Sequence, residues 1–189
     1  MGSRGGPIEP TPSKKKGRTE SPSYGIIDSQ SVKTQYASDD RGFDGHKKVK
    51  GRKRHSVVDI LGNLLTIKAH SANQSDTIAG CQVLAKASDK HKTIKAFSGD
   101  QGYQGTAVEF VKNELGLILT ISSKKKAGFT VLPKRWIVER TFAWLGHFRR
   151  LAKDFEILTS TAENVIRLAM LKITSIFSIS EGTAKINRL

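Results

Sequence analysis

The sequence predicts one α/β domain, a mixed β-sheet flanked by helices, and three observations lead to this prediction. From residue 24 onward, short apolar runs of strand length alternate with longer amphipathic segments, which is the pattern of an α/β domain. The first 23 residues contain four of the five prolines and almost no apolar residue, as in a flexible basic linker. The length of 189 residues, 37% of them hydrophobic, suffices for one core but not for two full domains. We expect a linker over residues 1–23, the domain over 24–180 and a tail over 181–189.

The predicted elements follow the order strand, hairpin, helix, strand, helix, strand, helix, helix. Gly62 and Asn63, which both tolerate positive φ, form the hairpin turn. Pro133 opens the third helix, since proline is tolerated in a first helical turn. Ser160 and Glu163 form a capping-box pattern that starts the fourth helix. Strands are predicted at 25–32, 53–60, 64–69, 93–98 and 117–122, helices at 76–86, 106–114, through 136–151 and from 160 onward, and a polar loop between the first two strands.

Charge and cysteine content restrict the kind of protein. Lys and Arg number 32 against 17 Asp and Glu, and the formal charge of +15 favours a polyanionic partner, with nucleic acid first. No run approaches the roughly 18 apolar residues of a membrane-spanning helix, and no apolar signal segment is visible. We therefore expect a cytoplasmic protein without a membrane partner. The single cysteine, Cys81, excludes an internal disulfide and a thiolate zinc cluster, and is expected to be a small core residue.

Three carboxylates occupy positions that need a physical reason. Asp28 follows the apolar pair Ile26 and Ile27, and Asp100 comes directly after a predicted strand. Glu139 falls on the polar side of the third helix. Each has an ordinary interpretation by itself, as a strand-end cap, a turn aspartate or an i,i+4 partner of a basic residue. Together they would suit hard cations such as Mg²⁺, which prefer oxygen ligands, although their spacing alone does not establish such a site.

The third helix has a clear division into two faces at 100° per residue. Its apolar face comprises Ile137, Thr141, Trp144, Leu145, Phe148 and Leu151. Glu139 lies opposite, and its predicted neighbours on that polar face are Arg135, Arg150 and Lys153, with Arg149 toward the edge. This arrangement predicts a basic stripe that contains one acid.

Several ordered motifs resemble those of the DDE transposases of bacterial insertion sequences, of the insertion-sequence-five and insertion-sequence-four types. Residues 27–34 resemble the first catalytic motif, 45–55 the basic block after it, 99–103 the second aspartate motif, and 135–145 the glutamate motif, which continues to 156. The resemblance extends over about residues 24–178. Two positions depart from the pattern: Gln101 stands where glycine is more usual, and Gly146 stands where relatives often have lysine.

This resemblance implies a ribonuclease-H-like catalytic domain with Mg²⁺ or Mn²⁺, two ions, as cofactor. It implies cleavage and strand transfer of DNA at insertion-sequence ends, that is, DNA transposition and recombination. It also carries the catalytic and metal-binding roles onto Asp28, Asp100 and Glu139. The residues expected to bind DNA are Lys47, Lys48, Lys50, Arg52, Lys53, Arg54, Arg135, Arg149 and Arg150. For 47–54 a solvated basic edge strand is the alternative to a DNA-tracking surface.

The resemblance also raises an expectation about partners. Such transposases usually have a helical end-binding region ahead of the first aspartate, where this sequence offers a linker. We therefore expect a truncated chain or a second-frame product with an upstream-frame end-binding partner, acting as a homo-oligomer on DNA in the bacterial nucleoid. The alternatives are a catalytically silent DNA-binding transposase remnant and a host ribonuclease of the same fold.

Four further features have two interpretations each. His70 could assist the site or be a satisfied buried histidine, and Trp136 and Trp144 could pack or stack on bases, with packing favoured. Tyr103 could position a nucleotide or pack, and the run 124–126 of three lysines could contact phosphate or be solvated.

Overall fold

The computed structural model describes residues 21–122 and 134–186, with side chains described through residue 177. The predictions that concern residues 1–20, the lysine run 124–126 and Pro133 lie outside these ranges. Within the described part of the chain, no helix has the length and hydrophobicity to cross a lipid bilayer.

The described residues form six strands in one sheet, and the first strand lies at its centre. The strands are β1 (Tyr24–Lys33), β2 (Gly42–Asp44), β3 (Val49–Val58), β4 (Leu64–Ser71), β5 (Ala96–Gly99) and β6 (Ile118–Ile121). Strand β1 pairs antiparallel with β3 and parallel with β5, and β6 pairs parallel with β5. The other edge of β3 pairs antiparallel with β2 and then with β4. The predicted mixed sheet is confirmed.

Helices cover both faces of this sheet and divide the core in two. They are α1 (Asp76–Lys90), α2 (Thr106–Asn113), α3 (Arg135–Gly146) and α4 (Thr159–Ile186). Ile26 packs with the buried side chains of α3 and α4, while Ile27 packs with those of α1 and α2. Because side chains alternate along a strand, Asp28 belongs to the α3 face and Ser29 to the α1 face. The apolar run in β1 is therefore buried on both sides, as is usual for a central strand.

Three local predictions were wrong. Residues 42–44, predicted as loop, pair with the start of β3, and Phe43 is largely exposed, so no apolar alternation marks this short edge strand. The third helix ends at Gly146 rather than near residue 151, because Phe148 takes an extended backbone (ψ 115°). A separate 3₁₀ turn (Arg149–Leu151) follows it.

The capping box was the third error. Helix α4 begins at Thr159, so Ser160 is inside the helix. The Glu163 carboxylate accepts a hydrogen bond from the backbone N–H of Ala69 at 3.1 Å and pairs with Arg167 at 2.7 Å. Glu163 thus links α4 to β4 instead of capping the N-terminus of the helix. The backbone of α4 remains helical through Ile186, past the predicted boundary at 180.

The hairpin turn was predicted at the right place. Gly62 takes positive φ (92°), whereas Asn63 does not. The Asp59 carboxylate accepts hydrogen bonds from the backbone N–H groups of Leu61 and Asn63, at 2.8 and 2.9 Å. Glycine is therefore needed at one of the two positions, and Asp59 stabilises the other.

Candidate active site

Two of the predicted carboxylates meet at one edge of the sheet. Strands β1 and β5 are parallel neighbours, with Ile26 opposite Ser98. Continuing this register by two residues places Asp28 beside Asp100, which directly follows β5. Sites in open α/β sheets usually lie beyond the carboxyl ends of the strands. The sheet itself therefore brings the two aspartates together.

Asp28 has the more unusual electrostatic environment of the two. Its Oδ1 accepts a hydrogen bond from the backbone N–H of Ser29 at 2.7 Å. Burial raises the pKa of Asp28 to about 6, and the negative charge of Asp100 adds to this effect, while the Ser29 hydrogen bond and the charges of Arg135 and Lys47 oppose it. The positive charges near Asp28 therefore do not fully offset the effects of burial and of the neighbouring carboxylate of Asp100 on its ionised form.

Helix α3 contributes the third acid and a cation. Arg135 Nε lies 3.1 Å from Glu139 Oε1, and Arg135 Nη2 lies 3.7 Å from Asp100 Oδ2. The side chain of Glu139 is 54% exposed, whereas that of Arg135 is 22% exposed. The i,i+4 ion pair is thus present, and the same guanidinium connects Glu139 to the pair of aspartates. The structure brings all three predicted acids around Arg135.

The donor set fits a divalent cation, although the present arrangement is not a coordination sphere. Carboxylate oxygens are the ligands that Mg²⁺ and Mn²⁺ prefer. A cation bound beside Asp28 would stabilise its ionised form, which burial and then the charge of Asp100 disfavour. Among the described residues, however, no three His, Cys, Asp or Glu side chains stand close enough to hold a metal ion. Arg135 supplies the positive charge beside Asp100 and Glu139 in this arrangement.

The prediction that Arg52, Lys53 and Arg54 bind DNA was wrong, because all three side chains are buried. Arg52 donates to the carbonyl oxygens of Asp39 (2.8 Å from Nε) and Glu156 (3.0 Å). Arg54 donates to the carbonyl of Leu151 at 2.7 Å. Lys53 Nζ pairs with Asp76 at 3.0 Å and donates to the carbonyl of Gln74 at 2.9 Å. Long basic side chains in this strand satisfy backbone carbonyls of neighbouring loops instead of reaching solvent.

Other predicted DNA-binding residues remain on the surface. Lys47, Lys48 and Lys50 are exposed. Lys47 Nζ donates to the carbonyl of Ser29 at 3.1 Å, so it lies beside Asp28. The Asp44 carboxylate holds this turn by accepting from the backbone N–H of His46 and of Lys47, at 3.1 and 3.0 Å.

The predicted basic stripe on the third helix was wrong beyond its first turn. Because α3 ends at Gly146, the chain changes direction before Arg149 and Arg150. Both arginines are exposed, and Arg150 pairs with Glu156 at 2.7 Å. Lys153 donates to the side chain of Gln35 at 3.2 Å. Of the stripe's cations, Arg135 alone makes an ion pair with Glu139 in the described residues.

A buried polar cluster on the opposite face of the sheet escaped sequence reasoning. Asp76 Oδ1 accepts from Ser29 Oγ at 3.1 Å, and Nδ1 of His55 lies 2.7 Å from Nε2 of His70. Burial lowers the pKa of both histidines, which favours the neutral form of both rings. His70 Nδ1 also lies 2.9 Å from the carbonyl of Ser71, which supports the satisfied-histidine interpretation. Cross-strand pairing of Ser29 with His55 could have been found only with the β1–β3 register known.

The burial of the two tryptophans, Tyr103 and the cysteine can be compared with the packing roles predicted for them. Trp144 packs against the core, as favoured, whereas Trp136 is 43% exposed. Tyr103 is buried, in agreement with its packing interpretation. Cys81 is partly buried and packs against the core that Ile27 forms with α1 and α2.

Comparison with known proteins agrees with the class that this geometry defines, an α/β domain with acids gathered at strand ends. A family profile described as the transposase DDE domain matches residues 19–171. The chain belongs to this transposase family. Over 118 residues it is 31% identical to the "putative transposase for insertion sequence element IS402" of Burkholderia cepacia. The match covers 56% of this chain and 54% of that relative, so the chain matches about half the relative's length.

Two solved structures are similar at low sequence identity. The catalytic core domain of BIV integrase is 14% identical, with a TM-score of 0.47 over 86% of this chain and 97% of that chain. A piggyBac transposase synaptic complex with hairpin DNA is also 14% identical, with a TM-score of 0.39 over 57% of this chain and 24% of that chain. Family membership and the observed sheet agree with the predicted ribonuclease-H-like fold. In this sheet β1, β5 and β6 are parallel, β3 is antiparallel to β1, and β2 and β4 are antiparallel to β3.

Proposed function

We propose that the chain catalyses metal-dependent DNA cleavage and strand transfer at the ends of an insertion sequence, with Asp28, Asp100 and Glu139 as its metal ligands. The observation that carries this proposal is the meeting of Asp28 and Asp100 at the carboxyl ends of two parallel strands. Glu139 joins them through Arg135. Membership of the transposase DDE domain family supports the reaction type.

The chain's own residues have distinct tasks in this reaction. Bound Mg²⁺ or Mn²⁺, as two ions, would activate an attacking water or 3′-hydroxyl and stabilise the leaving oxygen. Asp28 in β1 and Asp100, directly after the adjacent β5, offer oxygen donors at neighbouring positions on one edge of the sheet. Arg135 is placed between Asp100 and Glu139, where its guanidinium can also contact a phosphate.

DNA is the proposed partner because of the charge and its distribution. The formal charge is +15, and the exposed Lys47 and Lys48 lie on the turn before β3, with Lys47 beside Asp28 and the exposed Lys50 at the start of β3. Such contacts would neutralise the DNA backbone without reading bases. We further propose that the chain acts as a homo-oligomer on DNA.

Removal of the metal tests this function. With a labelled DNA fragment that carries an end of the encoding element, we expect strand cleavage in Mg²⁺ or Mn²⁺. Cleavage should cease with a chelator and return when Mn²⁺ is added in excess, because the metal ions would supply both the activation of the nucleophile and the stabilisation of the leaving oxygen. An Asp89→Asn variant, altered at an exposed acid that pairs with Lys92, should cleave like the wild type.

Three results would contradict the proposal. Cleavage that persists with the chelator would exclude the metal mechanism. Salt-sensitive DNA binding without cleavage under any metal condition would favour the catalytically silent remnant. Cleavage of an RNA–DNA hybrid but not of DNA would favour a ribonuclease.

A further inference from the structure

The first turn of α1 contacts both segments that carry the proposed metal-binding aspartates. Asp76 Oδ1 accepts a hydrogen bond from Ser29 Oγ at 3.1 Å. The next residue, Thr77, donates from its Oγ1 to the carbonyl of Gly102 at 3.1 Å. Two consecutive residues of one helix therefore hold the residue after Asp28 and the turn after Asp100.

The two residues that α1 contacts, Ser29 and Gly102, each hydrogen-bond to one of the aspartates. Ser29 donates its backbone N–H to Asp28 Oδ1 at 2.7 Å, and Gly102 donates its backbone N–H to Asp100 Oδ1 at 2.9 Å. One path thus runs from Asp76 through Ser29 to Asp28. The other runs from Thr77 through Gly102 to Asp100. Both aspartates are oriented by residues that α1 restrains.

The helix turn is itself firmly held. Lys53, buried in β3, pairs with Asp76 Oδ1 at 3.0 Å and donates to the carbonyl of Gln74, just before the helix, at 2.9 Å. A Cβ atom built on Gly80 of α1 would lie 2.7 Å from the ring of the buried Tyr103. One built on Gly99 of β5 would lie 2.9 Å from the same ring. The helix and the Asp100 turn therefore pack on opposite parts of one side chain.

We propose that Asp76 and Thr77 are positioning residues, and that the first turn of α1 sets the separation and orientation of the Asp28 and Asp100 carboxylates for a divalent cation. This inference rests on the proposed function, because it assumes that the two aspartates bind metal. Neither residue touches the cation itself. Their contribution is to keep the two donors in one arrangement before the ion binds, and partners of this kind typically change metal affinity by about 10- to 100-fold.

The test measures Mn²⁺ binding to the 189-residue chain by titration calorimetry, without DNA. Thr77→Val removes the hydroxyl at nearly constant volume and is expected to weaken Mn²⁺ binding about tenfold. Thr77→Ser keeps the donor and should bind like the wild type. The matched control is Thr93→Val, which removes a hydrogen bond of the same type, from Thr93 Oγ1 to the carbonyl of Pro22 at 2.8 Å. This control should leave Mn²⁺ binding unchanged.

A second variant and the melting temperature separate positioning from folding. Asp76→Asn should also weaken Mn²⁺ binding, and Thr77→Val should melt, without metal, at the temperature of Thr93→Val. Equal Mn²⁺ affinity of Thr77→Val and the wild type would overturn the inference, as would an equal loss in Thr77→Ser. If Asp100→Asn binds Mn²⁺ as tightly as the wild type, or the wild type does not bind it, the proposed metal site itself fails.

Discussion

The Asp28→Asn variant is expected to lose metal-dependent cleavage and, at the same time, to be more stable than the wild type at pH 8. Loss of this proposed metal ligand should reduce the cleavage rate by at least about a hundredfold, since bound metal supplies several kcal/mol of transition-state stabilisation. A structural aspartate would behave differently, because its replacement would lower stability.

The gain in stability follows from the raised pKa of Asp28. Its folded-state pKa is about 6, above the ordinary value of 3.8, chiefly because of burial. Between these two pH values the folded state binds the proton more tightly than the unfolded state, so stability falls as pH rises through this window. Above pH 6 the ionised carboxylate costs the folded protein about 1 to 3 kcal/mol, which asparagine avoids. The difference between variant and wild type should vanish below about pH 4.

Thermal unfolding with a chelator, followed from pH 4 to pH 8, measures this effect. Asp89→Asn serves as the control, because Asp89 is exposed on the surface. Added Mn²⁺ should raise the melting temperature of the wild type but not that of Asp28→Asn, since a ligand stabilises the state to which it binds. A variant that is less stable than the wild type at pH 8 and still cleaves DNA would show that Asp28 is structural.

Arg52→Ala is expected to lower the free energy of unfolding by about 3 to 5 kcal/mol, the usual cost of breaking a buried ion pair from one side. The guanidinium of Arg52 is fully buried and lies 3.3 Å from Asp154 Oδ2. It also donates to the carbonyls of Asp39, Glu156 and Ile157. Alanine would leave a buried carboxylate and several carbonyls without their donor.

Urea unfolding gives the measurement, with Lys50→Ala as the matched control from an exposed position of the same strand. A double variant, Arg52→Met with Asp154→Leu, removes both charges and should recover part of the lost stability. Weaker DNA binding by Arg52→Ala, with unfolding as in the wild type, would instead restore the surface role predicted from sequence.

The sequence by itself determined the architecture, because strands, helices and turns each leave a pattern of apolar and polar residues within a short stretch of chain. The apolar run before Asp28 marked the central strand, and Gly62 marked the hairpin turn at its observed place. The short edge strand at 42–44 left no such pattern, since Phe43 is exposed. Helix ends were less predictable. The chain leaves α3 before the extended backbone of Phe148, and Glu163 accepts a hydrogen bond from Ala69 of β4 instead of capping α4.

The candidate acids were also accessible from sequence, through the family resemblance of their motifs rather than through spacing. Their arrangement around Arg135 agrees with that choice, although the catalytic role stays a prediction. The proposed positioning role of Asp76 and Thr77 was not accessible from sequence. Asp76 lies 47 positions from Ser29 and Thr77 lies 25 positions from Gly102, and these contacts form only when α1 packs on the sheet.

The basic block shows most clearly what only the tertiary structure decided. The sequence shows that residues 47–54 carry six cationic side chains, but it does not show which of them face solvent. Lys47, Lys48 and Lys50 remain exposed, whereas Arg52, Lys53 and Arg54 enter the interior. The reason is physical: a buried cation is stable only where distant segments supply acceptors, and those acceptors at 39, 76, 151 and 154–157 come together only in the folded chain.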